Sequence, residues 1–418
     1  MGFLRSLSAG VTGLRNNTLM MDVIGNNVAN INTIGFKGSR ITFSDMFSQT
    51  LRGASSPTST NGGTNPMQIG LGASINSLDM MFTQGSIEGT GKATDMAITG
   101  NGFFVVNSNG KQLYTRVGTF DRDSVGNLYL PGTGAILQGK LANGSGVIPS
   151  GSTLQDMKID LDRKSPAKAT TVAKFAGNLD ARASVGEKTN ASIDVFDSQG
   201  NPITIEMSYT KTADNQWTWS MSSAAPANIT TGQSGTMEFN LDGSLKTFAY
   251  DGGATNFQMS TGLGTNDLVI DLNVGTLNMQ SGITQNKDTT LVQSKDQNGY
   301  AAGIVTSWDI DQNGFVNAKF YNNQRMVLGQ IMLAEFNNPS GLVKCGDSMY
   351  DISGNSGGPV ISASGGTSNI NVGALETSNV DLPEEFTKMI VAQRGFQSNA
   401  RVITTSDEIL NEVVNLKR

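Results

Sequence analysis

The string with the most obvious chemical potential is Gly354-Asn355-Ser356-Gly357-Gly358-Pro359, which has the form of a serine-protease nucleophile loop with Asn in place of Asp. A nucleophilic serine needs a neighbouring base to take its proton. The chain contains no histidine, so the commonest general base and metal ligand are both absent. Counting alone leaves a lysine base open, but Gly-rich linkers often produce such strings, and a linker before the last helix accounts for this one. Asp309-Ile310-Asp311-Gln312-Asn313-Gly314 matches the opening of a calcium loop, in which carboxylates at alternate positions converge on one ion. Its twelfth position is Phe320 instead of a bidentate Glu, and residues of strand period flank it, so the reading is a hairpin turn. Asp121 to Asn127, Asp197 to Asn201 and Asp242-Gly243 repeat the same turn chemistry. At Gly91-Lys92 a phosphate loop fails, because Ala93 stands where Ser or Thr is needed and Ser86 where the leading Gly is needed. The single cysteine, Cys345, excludes an intramolecular disulfide and an all-Cys zinc site, and is expected to be a small buried side chain. No cofactor or metal site and no enzyme activity follow from these residues.

The bulk properties narrow the class further. The 418 residues, with 50 Gly, 10 Pro, 37% hydrophobic and 15% charged residues, can hold two or three domains with modest cores. A net charge of −6 gives no basic footprint, which argues against nucleic acid or an anionic membrane as partner. Residues 1–30 have no unbroken apolar run of signal-peptide length, and no run is long enough to span a bilayer, so export would proceed without a cleavable signal peptide. Met1-Gly2-Phe3-Leu4-Arg5-Ser6 fits a myristoylation pattern, but that pattern is short and the segment has a fuller explanation in its periodicity.

That periodicity is helical at both ends. Leu382, Phe386, Met389, Phe396, Ala400, Ile403, Leu410 and Val414 step by three and four, with Gln393 and Asp407 completing a heptad seam. Asp381 with Glu384 and Pro383 starts this helix, and Lys417 and Arg418 suit its C-terminal dipole. Leu4, Leu7, Val11, Leu14, Thr18, Met21 and Val28 step in the same way at the other end of the chain. The two helices are expected to pair. Gly10, Gly13, Gly25 and Gly395 weaken them by roughly 1 kcal/mol each relative to Ala, which favours polymerisation over a self-sufficient hairpin.

Between the helices the period is two. Residues 100–106, 113–120 and 128–130 read as short strands; Ile203, Ile205, Met207 and Tyr209 alternate with polar residues, as do Trp217, Trp219 and Met221. The Gly/Ser/Pro-rich stretch 49–72 reads as a flexible linker or a long surface hairpin. Clusters near 143–152 and 285–299 mark boundaries.

Two stretches carry a resemblance. Asn26, Asn27, Ala29, Asn30, Gly35, Phe36 and Lys37, within residues 25–37, are similar to the N-terminal signature of the bacterial flagellar axial proteins, the rod and hook subunits. Residues 373–382, with Ser378, Asn379, Val380 and Asp381 at their centre, continued by residues 389–394 and 396–400, resemble the C-terminal signature of that family. Residues 80–142 and the last strands also resemble its inner β-domain, while the middle block agrees in size and strand pattern. The expected fold is therefore mainly β with α-helical termini: two nested β-domains and a terminal two-helix coiled coil formed by both chain ends. The expected divisions are 1–30 with 375–418 (helical, inner tube), 31–79 with 355–374 (connectors and arm), 80–145 with 290–354 (inner β) and 146–289 (inserted outer β).

The resemblance implies a homo-polymer, a tube that bends as a universal joint between rod and filament outside the cell. It also implies the distal rod protein, the hook cap, the hook–filament junction protein and the flagellar export apparatus as partners. The long insert is shared with the distal rod protein, the nearest alternative, whose family is expected to lack a second β-domain the size of the middle block, which favours the hook; the insert's arm would stiffen a tube if it crossed onto neighbours. Some family members join subunits through a lysine and a cysteine; Cys345 does not match that pattern, and no such chemistry is carried over. A secreted β-rich binding protein or adhesin remains open as a reading from another class.

Overall fold

The computed structural model describes residues 2–415, with side chains at 5–412 and at 414 and 415. Contacts divide the chain into two units, residues 1–160 with 309–317 and 327–418, and residues 161–308 with 318–326.

In the first unit, helix α1 (Gly2–Ala29) lies against helix α2 (Leu382–Asn415). The pair is antiparallel: Ile403 and Asn399 meet α1 at Gly10 and Gly13, whereas Glu385 meets it at Asn27. Helix α2 starts where the sequence places its cap, with the Asp381 carboxylate accepting from the Glu384 backbone N–H at 3.2 Å. The end carrying Lys417 and Arg418 lies outside the described residues. Within α1, the Asn17 amide and Thr18 hydroxyl donate back to the carbonyls of Gly13 and Leu14, which satisfies polar side chains on the helix itself.

The β-body of this unit is an antiparallel sheet in which Phe103–Ser108 pairs with Lys111–Thr115 and Ile136–Leu141, and Arg325–Glu335 runs beside them. Phe103, Tyr114, Phe336 and Tyr350 form its core through edge-to-face contacts, with Tyr114 and Phe336 centroids 4.8 Å apart. The strand expected over 113–120 stops at Thr115. Beyond it Gly118 packs so closely on the Met96 carbonyl that a Cβ would stand 1.5 Å from the oxygen, and Arg116 turns inward. The stretch 49–72 is a hairpin, in which Ser48–Arg52 pairs with Met67–Gly70, both strands exposed throughout.

The second unit contains two sheets. Lys188–Phe196, Pro202–Ala213, Gln216–Ser223, Ser234–Phe239 and Leu245–Tyr250 make an antiparallel meander. Val172–Asn178, Asn228–Thr231, Phe257–Ser260, Leu268–Asn273, Ile283–Thr284 and Leu291–Gln297 make the other sheet. Ile203, Ile205, Met207, Tyr209, Trp217, Trp219 and Met221 all point into one shared core, as their alternation requires. This unit extends past 289 because Leu291–Gln297 pairs with Val172–Asn178 through six registered residue pairs.

Candidate functional site

Structure and chemistry converge at the two helices and at the connectors that root them. The seam between the helices is lined by small and polar residues. Glu385, Ala392, Asn399 and Ser406 recur every seventh residue, and of these Glu385, Ala392 and Ser406 are buried. Gly10 and Gly13 face Asn399 and Ile403, and Gly395 faces Asn17. One column of the expected seam, Leu382, Met389, Phe396, Ile403 and Leu410, flanks this line. The other column sits one residue earlier than expected: Phe386, Gln393, Ala400, Asp407 and Val414 give way to Glu385, Ala392, Asn399 and Ser406. Size explains the shift, since close approach of two helices at glycine favours the small side and turns bulk outward.

Large apolar groups consequently face solvent. Phe386 is 47% exposed, Ile390 59%, Val391 61% and Val414 67% on α2, and Val11 is 49% exposed on α1. Leu7, Leu14, Met21 and Val28 are half-buried, Phe396 is exposed, and the side chain of Leu4 lies outside the described residues.

The connectors are held by side chains of both signatures. Asn27 reads the backbone of Ser39 twice: its Nδ2 donates to the carbonyl at 2.8 Å, and its Oδ1 accepts from the N–H at 2.9 Å. The same Nδ2 reaches Glu385 Oε2 at 3.1 Å, so one amide ties the end of α1 to α2. Asn379 accepts from the Gly38 N–H at 2.8 Å and donates to the Met81 carbonyl at 2.7 Å. Asn30 donates to the Asn26 carbonyl, closing the last turn. Asn26 and Ala29 are exposed; Ser378 accepts from the Val380 N–H, and Val380 abuts Gly38. Gly35 adopts φ +67°, and a Cβ there would lie 2.9 Å from the Arg116 backbone, so glycine is required for conformation and for space.

Beneath them Lys37, Glu376 and Arg116 are buried together. Lys37 Nζ lies 2.6 Å from Glu376 Oε1, and Arg116 Nη1 lies 3.3 Å from Oε2. Lys37 also donates to the Thr83 carbonyl at 2.7 Å, Arg116 Nη2 to the Gly100 carbonyl at 2.6 Å, and the Gly85 N–H to Glu376 Oε1 at 2.9 Å. Burial pushes the Lys37 ammonium and the Arg116 guanidinium below their ordinary ranges, against the pull of the Glu376 carboxylate. Phe36 is buried, with Lys344 Nζ 4.6 Å above its ring. Of these partners only Lys37 stands out in the sequence. Glu376, Arg116 and Glu385 carry no sequence signal, since an isolated acid or base has no periodicity; Glu376 lies just ahead of Ser378.

The other chemically suggestive residues have structural work. The buried Ser356 hydroxyl lies 3.0 Å from both the N–H and the carbonyl of Ser353, closing its loop. Asp311 Oδ1 accepts from the Asn313 and Phe315 N–H groups at 2.9 Å, with Gly314 at φ +77°, as a hairpin turn requires. Asp123 and Asp197 close turns in the same way. Cys345, expected to be buried, is exposed, because all of Val343–Gly346 lies on the surface.

Comparison with known proteins covers the whole chain. Residues 7–37 match the flagella basal body rod protein family, 97–172 the D1 domain of the flagellar hook proteins FlgE/F/G, 160–300 the D2 domain of the flagellar basal body protein FlaE, and 371–416 the C-terminal domain of the FlgEFG rod proteins. The flagellar hook protein FlgE of Borreliella burgdorferi is 39% identical across 99% of this chain and all of its own length. That of Salmonella typhimurium is 35% identical over the same shares, and the basal-body rod protein FlgG of Bacillus subtilis is 31% identical over the same shares. With both signatures and the domains between them matched in order, this chain belongs to the flagellar hook and rod protein family.

Proposed function

We propose that the chain is the structural subunit of the flagellar hook, polymerising into a tube that transmits torque as a flexible joint. The observation that carries this reading is the helical pair: small and polar residues hold much of its own seam, while Val11, Phe386, Ile390, Val391 and Val414 are exposed. On an isolated monomer such groups are a liability; against neighbouring copies they become a core. Identical contacts repeated head to tail without closing give a helical tube. The terminal helices line its centre, Asn27, Lys37 and Asn379 fix their roots, and the chain catalyses nothing. The partners are further copies, the distal rod protein, the hook cap, the hook–filament junction protein and the export apparatus. Assembly takes place outside the cell; among the described residues no helix is long and apolar enough to cross a membrane.

Electron microscopy of the concentrated full-length chain beside a version lacking residues 382–418 tests the reading. Tubes from the full-length chain alone are expected, curved for a hook subunit. Straight tubes would favour the rod. Monomers in both samples across a range of salt would overturn assembly through the helices.

A further inference from the structure

The Lys37–Glu376–Arg116 cluster combines features that do not belong to ordinary packing. It places two cations and one carboxylate in an interior where the side chains of Lys37 and Glu376 are 0% exposed and that of Arg116 1%. Its hydrogen bonds join the chain leaving α1, the Thr83–Gly85 segment, the β-body at Gly100 and Arg116, and the chain entering α2. The Glu376 carbonyl also accepts from the Gly35 N–H at 2.8 Å, so both connectors are laced side by side. Among the described residues Arg116 Nε has no hydrogen-bond partner and the Glu376 carboxylate is its one anionic contact, while the guanidinium carbon lies 5.0 Å from the Phe103 ring centroid.

We propose that Glu376, with Lys37 and Arg116, is the positioning cluster that sets how the two helices leave the β-body, and that the carboxylate acts there as the shared counter-charge of two buried cations. A buried ion pair adds little net stability over well-packed apolar groups, yet losing one partner strands a charge and is costly. What the cluster supplies is a single geometry for the connectors, and thus one orientation of the outward apolar residues toward neighbouring copies. This rests on the assembly reading above.

Charge and volume predict opposite orders for the variants, and this makes the idea testable in the full chain. Glu376→Gln preserves size but leaves two cations facing each other without an anion. Lys37→Met and Arg116→Met each leave a neutral pair. The triple variant Lys37→Met/Arg116→Met/Glu376→Gln removes every charge. By charge, Glu376→Gln is the worst of the four and the triple variant recovers; by packing, the triple variant is worst.

Hydrogen exchange at residues 31–38 and 373–381 is expected to accelerate by ~100-fold or more in Glu376→Gln, with tubes lost, and by less than ~10-fold in Lys37→Met. The fluorescence of Trp217 and Trp219, in the separate core of the second unit, should stay native and so reports a variant that has failed to fold altogether.

A pH scan gives a readout that packing would not move. Lys37 faces Glu376 and Arg116; nearby Tyr350, with its phenol pushed up to about 12 by burial, stays neutral, and Lys344 lies over Phe36. Because folding lowers the Lys37 pKa, the unfolded chain binds more protons between the folded value and the ordinary lysine value, and stability rises with pH across that window. The Glu376→Gln defect, measured against wild type at each pH so that Lys344 cancels, should therefore shrink as Lys37 sheds its proton. A triple variant worse than Glu376→Gln, or a defect flat with pH, overturns the proposal. Wild type without tubes would instead overturn the assembly reading, while exchange still judges the cluster.

Discussion

The second unit and the helical pair bury their residues by opposite rules. In the unit of residues 161–308 and 318–326, each strand sends one face inward, and Tyr209, Trp217, Trp219, Phe257 and Met237 close a core that needs nothing from outside. In the helical pair, Ala392, Asn399, Ser406, Gly10 and Gly13 occupy the seam, and the bulk of α2's aromatic and branched residues look away from it. At roughly 25 cal/mol per Å² of apolar surface buried, a seam in which glycine, alanine and amides stand beside only half-buried Leu382, Met389, Ile403 and Leu410 contributes less than the core of the second unit. The first arrangement gives a unit that holds its shape by itself, and the second leaves apolar surface that the proposed assembly would cover with other copies.

The largest effect that tests this contrast belongs to the second unit. Trp219→Ala should remove about 3–5 kcal/mol from its unfolding free energy in denaturant, with exchange in α1 and α2 unchanged; helices that loosened in step would show that the two regions are not independent. Next comes Ala392→Leu, which forces bulk into a position with 0% exposure. It should cost about 1–3 kcal/mol, read as faster exchange along α2 while the transition of the second unit stays in place.

A pH titration probes the turns of the second unit. Burial pushes the Asp197 carboxyl up, but hydrogen bonds from Asn201, Gln199 and Thr265 outweigh it and hold the carboxyl below its usual range. The stabilisation is therefore complete above the unfolded value near pH ~3.9 and fades as pH falls through the folded one. Asp197→Asn should lower the neutral plateau of the melting curve and flatten its acid limb, so that variant and wild type converge as pH falls. The smallest effect on the monomer is expected from Ile390→Ser, within about 0.5 kcal/mol of wild type, because the residue is 59% exposed. The protein concentration needed for tubes should nevertheless rise; an unchanged threshold would remove Ile390 from the assembly surface.

The same contrast explains what could be read in the sequence. The strands holding Ile203 to Tyr209 and Trp217 to Met221 were legible because a core within the chain imposes its period on the chain. The helices were legible as helices, and Asp381 as a cap, but half of the seam was displaced by one residue. A hydrophobic stripe reports the surface to be buried, not which partner buries it, and on α2 much of that surface is turned away from α1. The cluster at Glu376 was illegible for another reason: its members are 339 and 260 residues from their partners, and no periodicity connects them. Asn27 and Lys37 were marked by resemblance, yet what they hold emerged only from the geometry.

The pairing of the chain's two ends also sets a timetable. Asn27 and Glu385 are 358 residues apart, and closing so long a loop in an unfolded chain costs about 5 kcal/mol of entropy before any contact repays it. A seam of small and polar side chains cannot meet that alone. Once the intervening strands have folded, the connectors at Ser39 and Asn379 stand close together and the effective loop becomes short. The helices therefore come together last. Under the proposed assembly through this pair, a chain misfolded in its middle lacks the surface on which copies would add, and completion of the fold becomes the condition for joining the polymer.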